Sequence, residues 1–264
     1  GEEPFDYINS VGVLHHLDQP EAGLMALAAR LAPQGLLHLF LYADAGRWEI
    51  HRTQKALTLL QVGTGADGLR LGRDLFETLP ESNRLARHHR ERWAVDCAPD
   101  ANFADMYLHP QETSYDLARL FAFVETAGLH FAGFSNPEVW DPARLLQGEL
   151  LERARNLPLR DQWSLVEQLD PDISHFEFFL SAAPIEPATL SDEALSAAQG
   201  LRQPCLWGEP DPILGRNLEP IQLSEQERDL LRAVADQPGT ALGTLAEPAL
   251  IRDLVDRQLL LLRG

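Results

Sequence analysis

The order of patterns between Phe5 and Tyr42 constrains the fold more than any other stretch of the chain. A short apolar strand centred on Tyr7 to Ser10 breaks around Gly12 into a turn that carries two adjacent histidines, His15 and His16. A helical repeat follows, with Leu24, Leu27, Ala28 and Leu31 on one stripe. Asp18 reads as its cap, with Pro20 in the first turn and Glu21 three residues on. Pro33 and Gly35 stop the helix, and a second apolar run extends from Leu36 to Tyr42. Short apolar runs joined by a helix are buried, mostly parallel strands linked by a crossover, so the chain is α/β.

Further along, Ala45 to Gln61 is helical in pattern, and the glycines between Gly63 and Gly72 break it. Gly63-Thr-Gly65 follows a helix and not a strand, so it is a connection and not a phosphate-binding loop. The stretch to Asn102 reads as helical or irregular material over a sheet edge, with His88 and His89 among arginines on a solvated helix face. A helix opening at Thr113 or Ser114 buries Leu117, Leu120, Phe121 and Val124 and ends at Gly128. Leu129 to Phe134 and His175 to Leu180 read as strands, with a Pro-punctuated helical segment from Trp140 to Leu169 between them.

Residues 184–220 are Pro-rich and read as a linker with a short helical piece near Ser191. Ser224 and Glu227 form a capping box that opens a helix ended by Gly239. Two further helical patterns and the apolar run Leu259 to Leu262 make residues 221–264 a small winged-helix-like C-terminal domain. Residues 1–183 form the first domain.

Charge excludes several functions. The 22 basic residues stand against 40 acidic ones, a formal charge of -18, which repels nucleic acid and anionic lipid. In the last domain Arg252 and Arg257 are balanced by Asp253 and Asp256, which favours docking of a protein partner over DNA. No apolar run reaches the roughly 20 residues of a membrane span. Cys97 and Cys205 stand far apart, which suggests neither a disulfide framework nor a zinc site and fits a reducing cytoplasm. No histidine and carboxylate spacing typical of a metal site is present, around His88 and His89 included.

Three blocks carry a family resemblance. The first comprises Phe5-Asp-Tyr-Ile, Val13-Leu-His-His-Leu17 and Leu31-Ala-Pro-Gln-Gly35. The second comprises Asp105 to Pro110, Ala127-Gly-Leu129 and Phe131-Ala-Gly-Phe134; the third, Trp163 to Glu167 and His175-Phe176. Together they resemble the carboxyl-terminal part of bacterial class I S-adenosylmethionine-dependent methyltransferases, across roughly residues 1 to 183. Gln34 departs from the usual glycine, which alters only a turn. The resemblance implies a partial Rossmann-like methyltransferase sheet whose strands are the fourth to the seventh of seven, the last one antiparallel and inserted. It also implies that the first three strands and the glycine-rich cofactor turn precede Gly1 in a longer protein, so that this fragment alone is inactive. Ser10, Val11, Gly12 and His16 would then line the methionine portion of S-adenosylmethionine.

Methyl transfer from a sulfonium asks the protein chiefly for alignment and desolvation. An imidazole is the natural base where the acceptor is a hydroxyl or ammonium group. His15 and His16 are therefore the candidate catalytic residues, His15 facing the acceptor and His16 packing near the cofactor. Tyr42, at the end of the next strand, is a candidate wall of the substrate pocket, and His109 a candidate contact from the cap. The acceptor is a small molecule or a protein. Two other readings stand beside this one. The first is a non-catalytic interaction module on the same fold. The second, a nicotinamide-dependent dehydrogenase, lacks its Tyr and Lys at helical spacing.

Overall fold

The computed structural model describes residues 3–185, 190–202, 213–214 and 220–263. They fall into two compact units, Gly1–Ile185 and Glu186–Gly264. In the first, strands β1 (Phe5–Val11), β2 (Leu31–Tyr42), β3 (His130–Phe134) and β4 (His175–Ser181) form one sheet in the order β1-β2-β4-β3. β1 and β2 are parallel, whereas β4 runs antiparallel to both β2 and β3 between them. The last strand of this sheet in chain order is thus inserted between two of its predecessors.

Alternation along the strands divides the sheet into two faces. Leu37, Leu39 and Leu41 pair with Leu180, Phe178 and Phe176. All six are fully buried, under a core that includes Leu24 from helix α1 (Pro20–Ala28) and Leu120 and Val124 from a helix described below. The opposite face carries Tyr7, Asn9 and Val11 on β1, His38, Phe40 and Tyr42 on β2, and His175, Glu177 and Phe179 on β4. That face is partly open, and on the edge strand β1 Tyr7 and Val11 are 55% and 49% exposed.

Several boundaries differ from the sequence reading. α1 has Gln19 as its N-cap with no side-chain cap bond, so Asp18 does not close the expected box; Pro20, which gives up no helical hydrogen bond at N1, starts the helix. β2 begins at Leu31, five residues early. Its register with β1 jumps between Phe5↔Leu31 and Tyr7↔Leu36, an irregularity that absorbs Pro33, which has no N–H to donate. Gly35 sits within it, where a Cβ would stand 2.8 Å from the Phe5 carbonyl oxygen.

The middle stretch holds α2 (Trp48–Leu59), α3 (Ala66–Thr78), α4 (Arg84–His88) and α5 (Asp100–Phe103), with wider π turns at His89–Trp93 and Ala104–Leu108. It builds a core of its own from Ile50, Leu57, Cys97, Phe103, Tyr107 and Leu108. His89 belongs to that packing and not to a solvated face: it stacks on Phe76 at 3.9 Å and bonds the Tyr107 hydroxyl at 2.9 Å. Burial, with Arg73 nearby, lowers its pKa to about 4. His88 lies 3.5 Å from the buried carboxylate of Glu49. Helix α6 (Leu117–Thr126) starts after Asp116, whose carboxylate caps the Arg119 N–H, and not at Thr113 or Ser114. The displacement follows from Tyr115, which pairs with Ala43 in an isolated parallel bridge and so stays extended. α7 (Gly148–Arg155) and α8 (Leu159–Leu169) precede β4.

The second unit contains α9 (Asp192–Ala197), β5 (Gln199–Arg202), β6 (Ile213–Leu214), β7 (Pro220–Ile221), α10 (Glu225–Asp236), α11 (Pro248–Asp256) and β8 (Leu260–Arg263). β5 pairs antiparallel with β8. Leu195 of α9 packs with Leu230, Leu231, Ile251 and Leu260, so part of the stretch read as linker 184–220 enters this core. The rest of that stretch, Cys205 included, lies largely outside the described residues. The Ser224 and Glu227 capping box is formed in both directions.

Candidate functional site

The parallel strands β1 and β2 end side by side, and there the chain turns sharply twice. After β1, Gly12 takes a φ of +72°, a region that costs glycine little, and a short 3-10 turn, Leu14–His16, follows. After β2, Ala43 to Arg47 turn into α2. Between the two ends runs the extended segment 109–115, tied to both. The Thr113 N–H donates to the His15 carbonyl at 2.8 Å, and the Tyr115 N–H to the Tyr42 carbonyl at 2.9 Å. His16 Nδ1 lies 3.2 Å from the Gln111 carbonyl oxygen, and the Gln111 N–H donates to His109 Nδ1 at 3.2 Å.

Four rings selected from the sequence come together here. His15 lies 3.9 Å from Tyr42 and 4.3 Å from His16 between ring centroids, and His16 lies 4.2 Å from His109. The placement of His15 is a correction. It is 0% exposed, and neither ring nitrogen has a hydrogen-bond partner among the described residues. A group so enclosed does not face an acceptor. Burial first, then His16 and Arg47, lower its pKa to about 4, against the weaker opposite pull of Glu112 and the Phe40 backbone. At neutral pH it is an uncharged ring that supports Tyr42 and His16. His16 and Tyr42 are half-buried.

Ser10, Val11 and Gly12 divide between the two sides of the sheet. Ser10 pairs with Leu39 and is buried toward the helices, whereas Val11 and Gly12 are exposed. A Cβ at Gly12 would meet nothing within 4 Å, so the space beside this turn is open.

The residues that hold the site were not among those selected. Arg47, 4% exposed in its side chain, places its guanidinium 3.5 Å from the Tyr42 ring centroid. The same guanidinium grips Glu112 with two bonds, Nε to Oε1 at 3.1 Å and Nη2 to Oε2 at 2.8 Å. His51 Nε2 adds a third contact to Glu112 at 3.3 Å. Burial pushes the Glu112 carboxyl up, but the His51 and Arg47 contacts outweigh it and hold its pKa below the usual range. Burial likewise raises the Tyr42 phenol. Beside them Ser114 hydrogen-bonds Asp44, which also meets Arg119 at 3.4 Å. The signal available in sequence was only the run of polar residues after Pro110.

Adjoining these strand ends, a concavity of about 430 Å³ is bounded by Trp140, Ile173, His175 and Glu177, with Arg92 and Arg144 at its sides. His175 stacks on Phe40 at 4.6 Å, which links this hollow to the His15 cluster across β2. No group of three or more metal-ligating side chains is present among the described residues. Nor is any helix among them long and apolar enough to cross a membrane.

The strand order and the site at the strand ends bear on what this chain is similar to. PKMT2 from Rickettsia typhi shares its fold, with a TM-score of 0.57 at 15% identity, over 98% of this chain and 58% of PKMT2. The structure of PKMT2 in complex with AdoHcy superimposes with a TM-score of 0.61 at 16% identity, over the same shares of each chain. At such identities the likeness is one of fold. An uncharacterized protein of Synechococcus sp., syc1184_c, is 44% identical across 98% of this chain, which spans 65% of that relative's length. No family model matches the chain.

Proposed function

We propose that this chain forms the acceptor-side half of an S-adenosylmethionine-dependent methyltransferase, with the ends of β1 and β2 as its reaction face. The observation that carries the reading is the sheet order β1-β2-β4-β3 with the sheet's last strand inserted antiparallel, joined to the fold likeness with PKMT2, whose structure is in complex with AdoHcy. Ligands of open α/β sheets lie beyond the carboxyl ends of the strands, and the turn at Gly12 lies there. Val11 and Gly12 fit one end of such a cofactor, because the backbone at Gly12 borders open space. Ser10 fits less well, since its side is turned to the core. When bound, the cofactor supplies an electrophilic methyl group on sulfur.

The chain's own residues orient the acceptor. His16, Tyr42 and His109 line the approach, and His15 acts behind them as a positioning residue. Segment 109–115 closes one side and excludes water from it. The open edge of β1 and the exposed Tyr7 and Val11 support strands contributed by a longer chain, as do the greater lengths of syc1184_c and PKMT2. We read the second unit, with helices α9, α10 and α11 and the β5–β8 pair, as winged-helix-like and as an acidic dock for a protein partner. The acceptor is a small molecule or that protein, and the setting is cytoplasmic.

The burial of His15 favours a second reading, a methyltransferase fold retained as a non-catalytic interaction module. Calorimetric titration of the full-length protein with S-adenosylmethionine separates the two. Binding heat, together with turnover lost in His16→Ala and Tyr42→Ala, supports the enzyme. Absence of both heat and protection from unfolding eliminates it.

A further inference from the structure

Trp48 opens α2 directly after Arg47, and two arginines converge on its indole. The Arg84 guanidinium lies 4.3 Å from the ring centroid and that of Arg52 lies 5.8 Å from it. With Asn83 and Leu85 these residues bound a concavity of about 490 Å³, within the range of small-ligand sites. In so acidic a chain, arginines commonly meet carboxylates, as Arg70, Arg73, Arg92 and Arg144 do. Arg52 and Arg84 have no ion-pair partner among the described residues. Two uncompensated cations held on one aromatic ring repel each other, and that repulsion turns into attraction for an anion placed between them. Asn83 spends its side-chain oxygen on the Leu85 N–H at 2.9 Å, which leaves its amide N–H₂ as a donor.

We propose that the Trp48, Arg52, Asn83 and Arg84 hollow binds the phosphate monoester group of a small or peptide ligand. The charge count selects this class. A phosphate monoester carries about two negative charges near neutral pH and accepts paired N–H bonds from planar guanidinium groups, whereas a carboxylate neutralises only one arginine. The indole and Leu85 offer apolar surface to the organic part. The inference is independent of methyl transfer, since it invokes neither the strand ends nor a cofactor.

Calorimetry of the full-length protein tests it at constant ionic strength in chloride, with phenyl phosphate, inorganic phosphate, benzoate and a phosphoserine tripeptide as probes. Phenyl phosphate is expected to bind saturably, and R52Q/R84Q to weaken it at least about tenfold, whereas R155Q, at an exposed arginine elsewhere, leaves it unchanged. Tighter binding of the tripeptide than of phenyl phosphate supports a phosphorylated protein as the source, and the reverse supports a phosphorylated metabolite. Lack of saturable heat, equal affinity for benzoate, or equal losses in R52Q/R84Q and R155Q would each overturn the assignment.

Discussion

The guanidinium of Arg47 holds the carboxylate of Glu112 in a two-pronged pair that is shut off from water, with side-chain exposures of 4% and 5%. The two residues are 65 positions apart, and the pair fastens the segment crossing the strand ends to the start of α2. Removing one partner strands a buried charge, which costs about 3–5 kcal/mol. Glu112→Gln should therefore lower stability by that order in urea unfolding, and Arg47→Met/Glu112→Leu should recover most of the loss. Similar stability in Glu112→Gln and wild type would show the pair to be solvated.

The pH dependence of stability has a predicted sign. The His15 pKa is about 4 in the folded chain against 6.5 when unperturbed. Above 6.5 the ring is neutral in both states. Between 6.5 and 4 the unfolded chain takes up a proton that the folded one refuses, so stability declines as pH falls, by up to about 3 kcal/mol. Glu112, held low, adds stability that is present above its ordinary value and is lost as pH falls further, through its folded value. Unfolding midpoints measured across this range should slope downward toward acid, and His15→Phe should flatten the upper part. An unchanged slope in that variant would place the titration elsewhere.

What could be read from sequence follows from which signals are local. The β1, turn, α1 and β2 order and the Ser224 and Glu227 capping box depend on spacings within a few residues, and each is present in the structure. Pro33 reads as a helix stop yet lies within β2, because a proline after a helix marks its stop and a strand bulge equally well. The enclosure of His15 escaped because adjacent histidines carry no mark of which ring a turn sends inward. Arg47 and Glu112 escaped because a pairing across 65 residues leaves no periodicity at either end.

Gly46 is the spacer that lets Arg47 reach its position. Its N–H donates to the Ile173 carbonyl at 2.9 Å, and an added Cβ would stand 2.4 Å from that carbonyl's carbon and oxygen. Both are backbone atoms, so neither can rotate away. Gly46→Ala is expected to destabilise the first unit by about 1–3 kcal/mol through overpacking. The displaced α2 start should also show as faster hydrogen exchange at Thr113 and Tyr115, whose N–H groups bond the His15 and Tyr42 carbonyls. Wild-type exchange at those two amides would mean that segment 109–115 is held without Gly46.

The start of α10 offers a test within the second unit. Ser224 Oγ accepts the Glu227 N–H at 3.3 Å, and the Glu227 carboxylate returns a bond to the Ser224 N–H at 2.5 Å while also meeting Arg257. Ser224→Ala removes one of these bonds and leaves the Arg257 contact, so it should cost about 1 kcal/mol. Glu227→Ala removes the return bond and the ion pair together and should cost more. Hydrogen exchange in α10 and α11 measures both, since Arg257 follows the last turn of α11. If the two variants lose protection equally, the tie between Glu227 and Arg257 contributes nothing measurable.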